Sequence, residues 1–214
     1  MQIVKRIDAG TITETEMLAF IREKLQIGHS SPLQQVYFEF GISGVSRAFS
    51  HQFVRHHVGI DIEQQSQRYV TFKSKPFPYT IPVTVERADK AVAYHSAMSA
   101  LNVLYHDLID AGVPAEDARF VLPNATNTNL KVTVNFLELQ HMADLRLCTR
   151  AQWEFRHVMG RMRGEVMRTL PWLGRFLGPK CMAFRMGYCD EAFKDWEACP
   201  FSKTRPHKSQ VVPA

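Results

Sequence analysis

Residues 55–69 read R-H-H-V-G-I-D-I-E-Q-Q-S-Q-R-Y and gather two Arg, two His, three Gln, one Ser and one Tyr. No apolar period runs through them, so the segment reads as surface rather than core. Its second half offers the Ser66 hydroxyl, the backbone amides around it and the Arg68 guanidinium within three residues. Donors in that combination cradle a phosphate, because amide dipoles and a fixed cation both favour an anionic oxygen. Arg55 and His56 fall where a preceding helix is expected to end, a place where the helix dipole favours cations. Two other readings use the same residues. One is a solvated polar loop; the other is a single-stranded nucleic-acid surface with Tyr69 as a stacking ring.

The elements around this segment follow from periodicity and stop signals. Thr13 and Glu16 fit a capping box that opens a helix, with Met17, Leu18, Ile21 and Leu25 on one face and Gly28 as its stop. Val36, Phe38, Phe40 and Ile42 alternate with Tyr37, Glu39 and Gly41, the pattern of a half-buried strand. Ser43-Gly44 then turns the chain into a short helix carrying Val45, Ala48, Phe49 and Phe53. A second strand is expected at Tyr69 to Phe72, before a loop with Pro76, Pro78 and Pro82. A long helix from about Glu86 places Tyr94, Met98, Leu101, Tyr105 and Leu108 on one stripe, closes at Gly112, and is followed by a short helix with Pro114 at its first position. One further long helical region is expected from about Val134 to Leu170, with Phe155, Met159, Met162 and Val166 facing the core. Helix, strand, helix, strand, then mostly helices is an α+β order. The expectation is a single domain over 1–203, a twisted sheet flanked by helices, with a polar and mobile tail over 204–214.

Bulk properties narrow the classes. The 214 residues are 45% hydrophobic and 22% charged, ordinary for a chain that buries a core. A formal charge of +5 suits an anionic partner without distinguishing a nucleotide from nucleic acid. The arginines of the later helices (Arg146, Arg150, Arg156, Arg161, Arg163, Arg168) scatter around the helix instead of forming one basic face, which argues against nucleic-acid binding. No apolar run approaches a membrane span and the first residues lack a signal-peptide pattern, so a cytoplasmic chain with no membrane partner is expected. Cys181, Cys189 and Cys199 lack the short spacing of zinc ligands, and with Cys148 they are expected to be free thiols, with no metal bound.

The segment resembles the signature of the flavin-dependent thymidylate synthases: Arg-His-Arg, seven or eight residues, then Ser-x-Arg-Tyr. Here Arg55-His56-His57 is followed by eight residues and then Ser66-Gln67-Arg68-Tyr69. Upstream, G-H-S-S-P (28–32) and G-V-S-R-A-F-S-H-Q-F-V-R-H (44–56) are similar to the family's blocks. Downstream, A-R-F-V-L-P (118–123), Asn135, Leu145-Arg146, A-Q-W-E-F-R (151–156) and Pro171-Trp172 continue the likeness in order. The resemblance implies the family's α+β fold and a homotetramer with active sites where subunits meet. It implies reductive methylation at uracil carbon 5 of dUMP, with methylenetetrahydrofolate giving the carbon and FAD, reduced by NADPH, giving the hydride.

By motif position, Gln52, Arg55, Gln64, Gln65, Ser66, Gln67, Arg68 and Arg119 would bind the nucleotide. Arg146 would stabilise negative charge on the uracil as it reacts; its alternative is a surface pair with Glu138 or Asp144. Arg55, His56, His57 and Asn135, with His141, would contact FAD. His29 would lie near flavin or folate, unless it only caps nearby backbone, and Tyr69 would face the nucleotide or begin a strand. Ser66 is then a phosphate ligand, since no Ser–His–Asp arrangement is readable. The chain departs from the pattern at His57, where the family has Arg, at Leu137, where it often has a second Arg, and at L-Q-Q (33–35), where it often has Glu-His. Loss of two cations puts ordinary FAD retention in question. It leaves UMP methylation and a non-catalytic nucleotide-binding relative as the alternatives.

Overall fold

Local signals set most of the element boundaries. The computed structural model describes residues 2–27 and 29–211. In chain order the helices are α1 (Gln2–Asp8), α2 (Glu14–Gln26), α3 (Arg47–Phe53), α4 (Val83–Arg87), α5 (Ala91–Asp110), α6 (Ala115–Ala118), α7 (Phe136–Arg146), α8 (Trp153–Thr169), α9 (Pro171–Gly174), α10 (Phe193–Glu197) and α11 (Lys208–Val211). The strands are β1 (Tyr37–Ser46), β2 (Ile60–Gln64) and β3 (Asn127–Asn135). They pair in the order β1-β3-β2, a small antiparallel sheet among many helices, and the class is α+β. The chain divides into two compact units, one of Met1–Phe38 with Val134–Ala214 and one of Glu39–Thr133.

The Glu39–Thr133 unit holds the 55–69 segment. Here β1 does not turn at Ser43-Gly44 as expected. Gly44 takes a φ of +71°, which only glycine adopts without strain, and the strand runs on to Ser46. The Asn129 carboxamide oxygen braces the bend by accepting from Ser43 Oγ and the Gly44 amide at 2.9 and 3.1 Å. Ser46 then caps α3, its Oγ accepting the Phe49 amide at 3.0 Å. Two strands differ from expectation. Ile60, Ile62 and Gln64 alternate inward and form β2 inside the polar segment, whereas Tyr69 to Phe72 is turn and loop. The stripe on α5 behaves as predicted: Met98 and Tyr105 are buried with Phe72, Phe77, Ile109 and Ala118, and Tyr94, Leu101 and Leu108 pack against them. Gly112 at φ +85° closes α5, and Pro114 stands one position before the short helix rather than in it.

In the other unit, Thr13 and Glu16 form the predicted capping box, with the Thr13 amide donating to Glu16 Oε2 at 2.9 Å and the Glu16 amide to Thr13 Oγ1 at 3.3 Å. The expected stop at Gly28 and the Leu25 side chain fall outside the described residues. The helical region expected from Val134 resolves into β3, α7 and α8. Val134 is buried, and Asn135 ends the strand by capping α7, its Oδ1 accepting the Glu138 amide at 2.9 Å. Gln152 restarts the helix the same way, accepting the Phe155 amide at 2.9 Å. Phe155, Met159, Met162 and Val166 are buried as the periodicity predicts. The segment beyond Lys203 is packed rather than trailing: His207 is 4% exposed and within 2.9 Å of the Glu191 carbonyl, and Trp196 Nε1 donates to the Arg205 carbonyl at 2.7 Å.

Candidate functional site

The phosphate cradle read from residues 64–68 is held in place by its scaffold. Gln64 Nε2 donates to Ser50 Oγ and Thr128 Oγ1 at 2.9 and 3.3 Å. Gln65 is pinned through its amide, which donates to the Asn129 carbonyl at 2.9 Å, and through its Oε1, which accepts from Asn129 Nδ2 at 2.6 Å. Both side chains therefore serve the loop's geometry. Ser66 Oγ accepts the Arg68 amide at 3.1 Å and shapes the turn that carries Gln67. Gln52 donates back to the Ala48 carbonyl of its own helix at 3.2 Å.

Beside that loop lies an open depression of about 350 Å³, whose polar wall is Arg47, His51, Gln67 and Arg119 and whose apolar wall includes Phe120 and Leu122. Burial, and then the like charge of Arg119, push the Arg47 guanidinium below its ordinary pKa. Arg47 Nη2 donates to the Gln65 carbonyl at 2.8 Å, while its Nε is buried without a hydrogen-bond partner among the described residues. Two guanidiniums facing one depression, one with an unanswered donor, form a site for an anion. Arg68, which is not among the residues lining the depression, holds an exposed ion pair with Glu116 at 2.9 Å, its guanidinium 5.6 Å from the Tyr69 ring centre. Tyr69 itself is 80% exposed. Arg119 Nε donates to the Glu116 carbonyl at 3.0 Å, so one residue steadies both arginines. Arg47 and His51 were not singled out from sequence; the signal was their place in the G-V-S-R-A-F-S-H-Q-F-V-R-H block.

The signature's first half follows α3. Arg55 and His57 are exposed, whereas His56 between them is 7% exposed. His57 Nδ1 lies 2.9 Å from the Arg55 carbonyl, which can only accept, so Nδ1 carries the proton in that contact.

The remaining candidates belong to the other unit and are described there by themselves. Arg146 ends α7, half-buried, with its guanidinium 4.5 Å from the Phe155 ring centre, and burial pushes its pKa down. Asp144, one of the two partners sequence offered it, is bound by Arg185 instead. Asn135 is buried and spends its carboxamide oxygen on the α7 cap. His141 is exposed on α7, and His29 is exposed just before the 3-10 turn Ser31–Gln35.

A family model described as thymidylate synthase complementing protein matches residues 2–172. The chain belongs to this family. It is 45% identical over 181 residues to the flavin-dependent thymidylate synthase of Geobacter sulfurreducens, covering 84% of this chain and 76% of that protein. Against the flavin-dependent thymidylate synthase of Nitratidesulfovibrio vulgaris it is 42% identical over 195 residues, 87% of this chain and 78% of the other. Against that of Pyrococcus abyssi the identity is 36% over 203 residues, 91% and 81%. The family match ends at Trp172, so the segment from Leu173 to Val211 stands beyond it. That segment carries Cys181, Cys189 and Cys199, which with Cys148 line a cavity of about 30 Å³ as free thiols. Burial raises the pKa of Cys181 and Cys189, which keeps them protonated. Among the described residues no group of three or more His, Cys, Asp or Glu is arranged to hold a metal ion. No helix among them is long and apolar enough to cross a membrane.

Proposed function

We propose that the protein is a flavin-dependent thymidylate synthase that methylates dUMP at uracil carbon 5. The reading rests on family membership and is carried by one structural observation, the Arg47–Arg119 depression next to the Ser66 turn. In this reading the 5′-phosphate of dUMP enters the depression and relieves the repulsion between the two guanidiniums. Ser66, Gln67 and Arg68 close on it from the loop, with Arg68 exchanging Glu116 for a phosphate oxygen. Gln64 and Gln65 keep the loop in shape, while Gln52 hydrogen-bonds within its own helix. The enzyme works in the cytoplasm as a homotetramer, and its sites form where subunits meet.

Carbon 5 of uracil becomes nucleophilic only as negative charge spreads over the ring and its oxygens. Arg146, a permanent cation partly withdrawn from water over Phe155, has the chemistry to stabilise that charge, and a partly desolvated guanidinium does so more strongly than a solvated one. His29 and Tyr69 are each exposed in their own unit and so open to a bound ligand. The donor set around the signature fits an anionic flavin: the exposed Arg55 guanidinium is a cationic donor for its pyrophosphate, with the His57 ring exposed two residues on. Asn135 and His141 are further donors for it, and buried His56 sets the course of the chain between Arg55 and His57. Bound FAD, reduced by NADPH, supplies the reducing equivalents that turn the carbon from methylenetetrahydrofolate into a methyl group. The test gives dUMP and UMP separately with FAD, NADPH and methylenetetrahydrofolate. The reading predicts a yellow protein on FAD addition and dTMP from dUMP; a protein with no affinity for FAD contradicts it.

A further inference from the structure

The segment beyond the family match grips the last turn of α7, the turn that presents Arg146. Arg185 is the centre of the grip. Its Nε donates to Asp144 Oδ1 at 3.1 Å, its Nη2 donates to Asp144 Oδ2, and its Nη1 donates to Gln140 Oε1 at 3.3 Å. The Asp144 side chain is only 7% exposed, so the paired charges sit largely out of water. Backbone bonds run alongside: the Lys180 amide donates to the Asp144 carbonyl at 3.2 Å, and Gln140 Nε2 donates to the Phe176 carbonyl at 3.2 Å. On the neighbouring helix Arg163 Nε donates to the Leu177 carbonyl at 2.7 Å. Asp144 and Gln140 are one helical turn apart on α7, so the planar fork of one guanidinium bridges both and fixes the rotation of the helix end. Arg146 lies two residues beyond Asp144, and any rotation of that turn swings its long side chain away from the Phe155 ring.

We propose that Arg185 is a positioning residue for Arg146, acting through Asp144 and Gln140. The segment after Trp172 is then part of the catalytic apparatus of this chain without touching substrate. The inference rests on the role given to Arg146 above. It separates two steps of turnover: the phosphate is bound by residues of the other unit, so loss of Arg185 spares dUMP binding and slows the chemical step.

The experiment compares wild type with Arg185→Ala, Arg185→Lys and Asp144→Asn in the full chain, at a temperature where far-UV circular dichroism shows each folded. The expected result is a kcat at least about tenfold lower for Arg185→Ala and Asp144→Asn with an unchanged KM for dUMP, because a misplaced catalytic group costs rate rather than ground-state binding. Arg185→Lys regains part of the rate, since it keeps the charge on Asp144 and loses the fork to Gln140. If Arg185→Ala does not fold, Arg185→Lys and Asp144→Asn decide alone. A kcat within about twofold of wild type in the folded variants, or a loss carried by KM, overturns the inference. Absence of turnover in the wild type is a separate result and strikes at the proposed function instead.

Discussion

At the residue scale the deciding feature is Arg47, an arginine that sequence placed in a block resembling the family's without assigning it work. Its type was legible; its direction was not, because a residue at the start of a short helix can face core, solvent or site. The fold turns it toward Arg119, which comes from another part of the same unit. Arg47→Ala and Arg119→Ala should each raise the KM for dUMP by about tenfold to a hundredfold, the range for a hydrogen bond to a charged group, and leave uridine, which lacks the phosphate, bound as before. Steady-state kinetics and binding of uridine check this. His57 is the second residue to test. An arginine there is a permanent cation with a planar fork of donors, which an imidazole does not offer. His57→Arg should therefore tighten FAD in a flavin fluorescence titration, and an unchanged affinity would contradict that role.

At the element scale, helix signals were easier to read than strand signals. The α2 capping box, the α5 stripe and the buried stripe of α8 were all visible, because three or more residues at helical spacing state one face repeatedly. β2 was hidden because its inward positions end on a glutamine and its neighbours are donors for chemistry. β3 was hidden by polar residues on its outer face and by the helix that Asn135 begins without a gap. The capping box gives a pH test. Glu16 is lowered from 4.5 to about 2, first by the Thr13 amide and then by Arg6. A carboxylate with a depressed folded pKa contributes stability that is present above its unfolded pKa and is lost as pH falls through the folded one. The N-terminus of α2 should therefore loosen between about pH 4.5 and 2, and Glu16→Gln should remove that dependence. Amide hydrogen exchange across residues 13–20 measures it.

For the whole molecule, the α+β class was legible from the order of helices and strands, and the division into two units was not. β1 read as an ordinary strand and β3 did not read as one, and nothing in their local pattern marks Phe38 or Val134 as boundaries. The tail was misjudged for a related reason: its composition is polar, yet His207 is buried among Phe193, Trp196 and backbone acceptors. Polar residues enter a folded unit when their hydrogen bonds are met, and composition alone does not reveal that. The most direct test of the central claim uses methylenetetrahydrofolate labelled with carbon-13 at the transferred carbon, together with dUMP, FAD and NADPH. Mass spectrometry should find one labelled methyl group on the nucleotide, at carbon 5, only when FAD and NADPH are both present. No labelled nucleotide under those conditions, from a protein that still binds dUMP, would contradict the account.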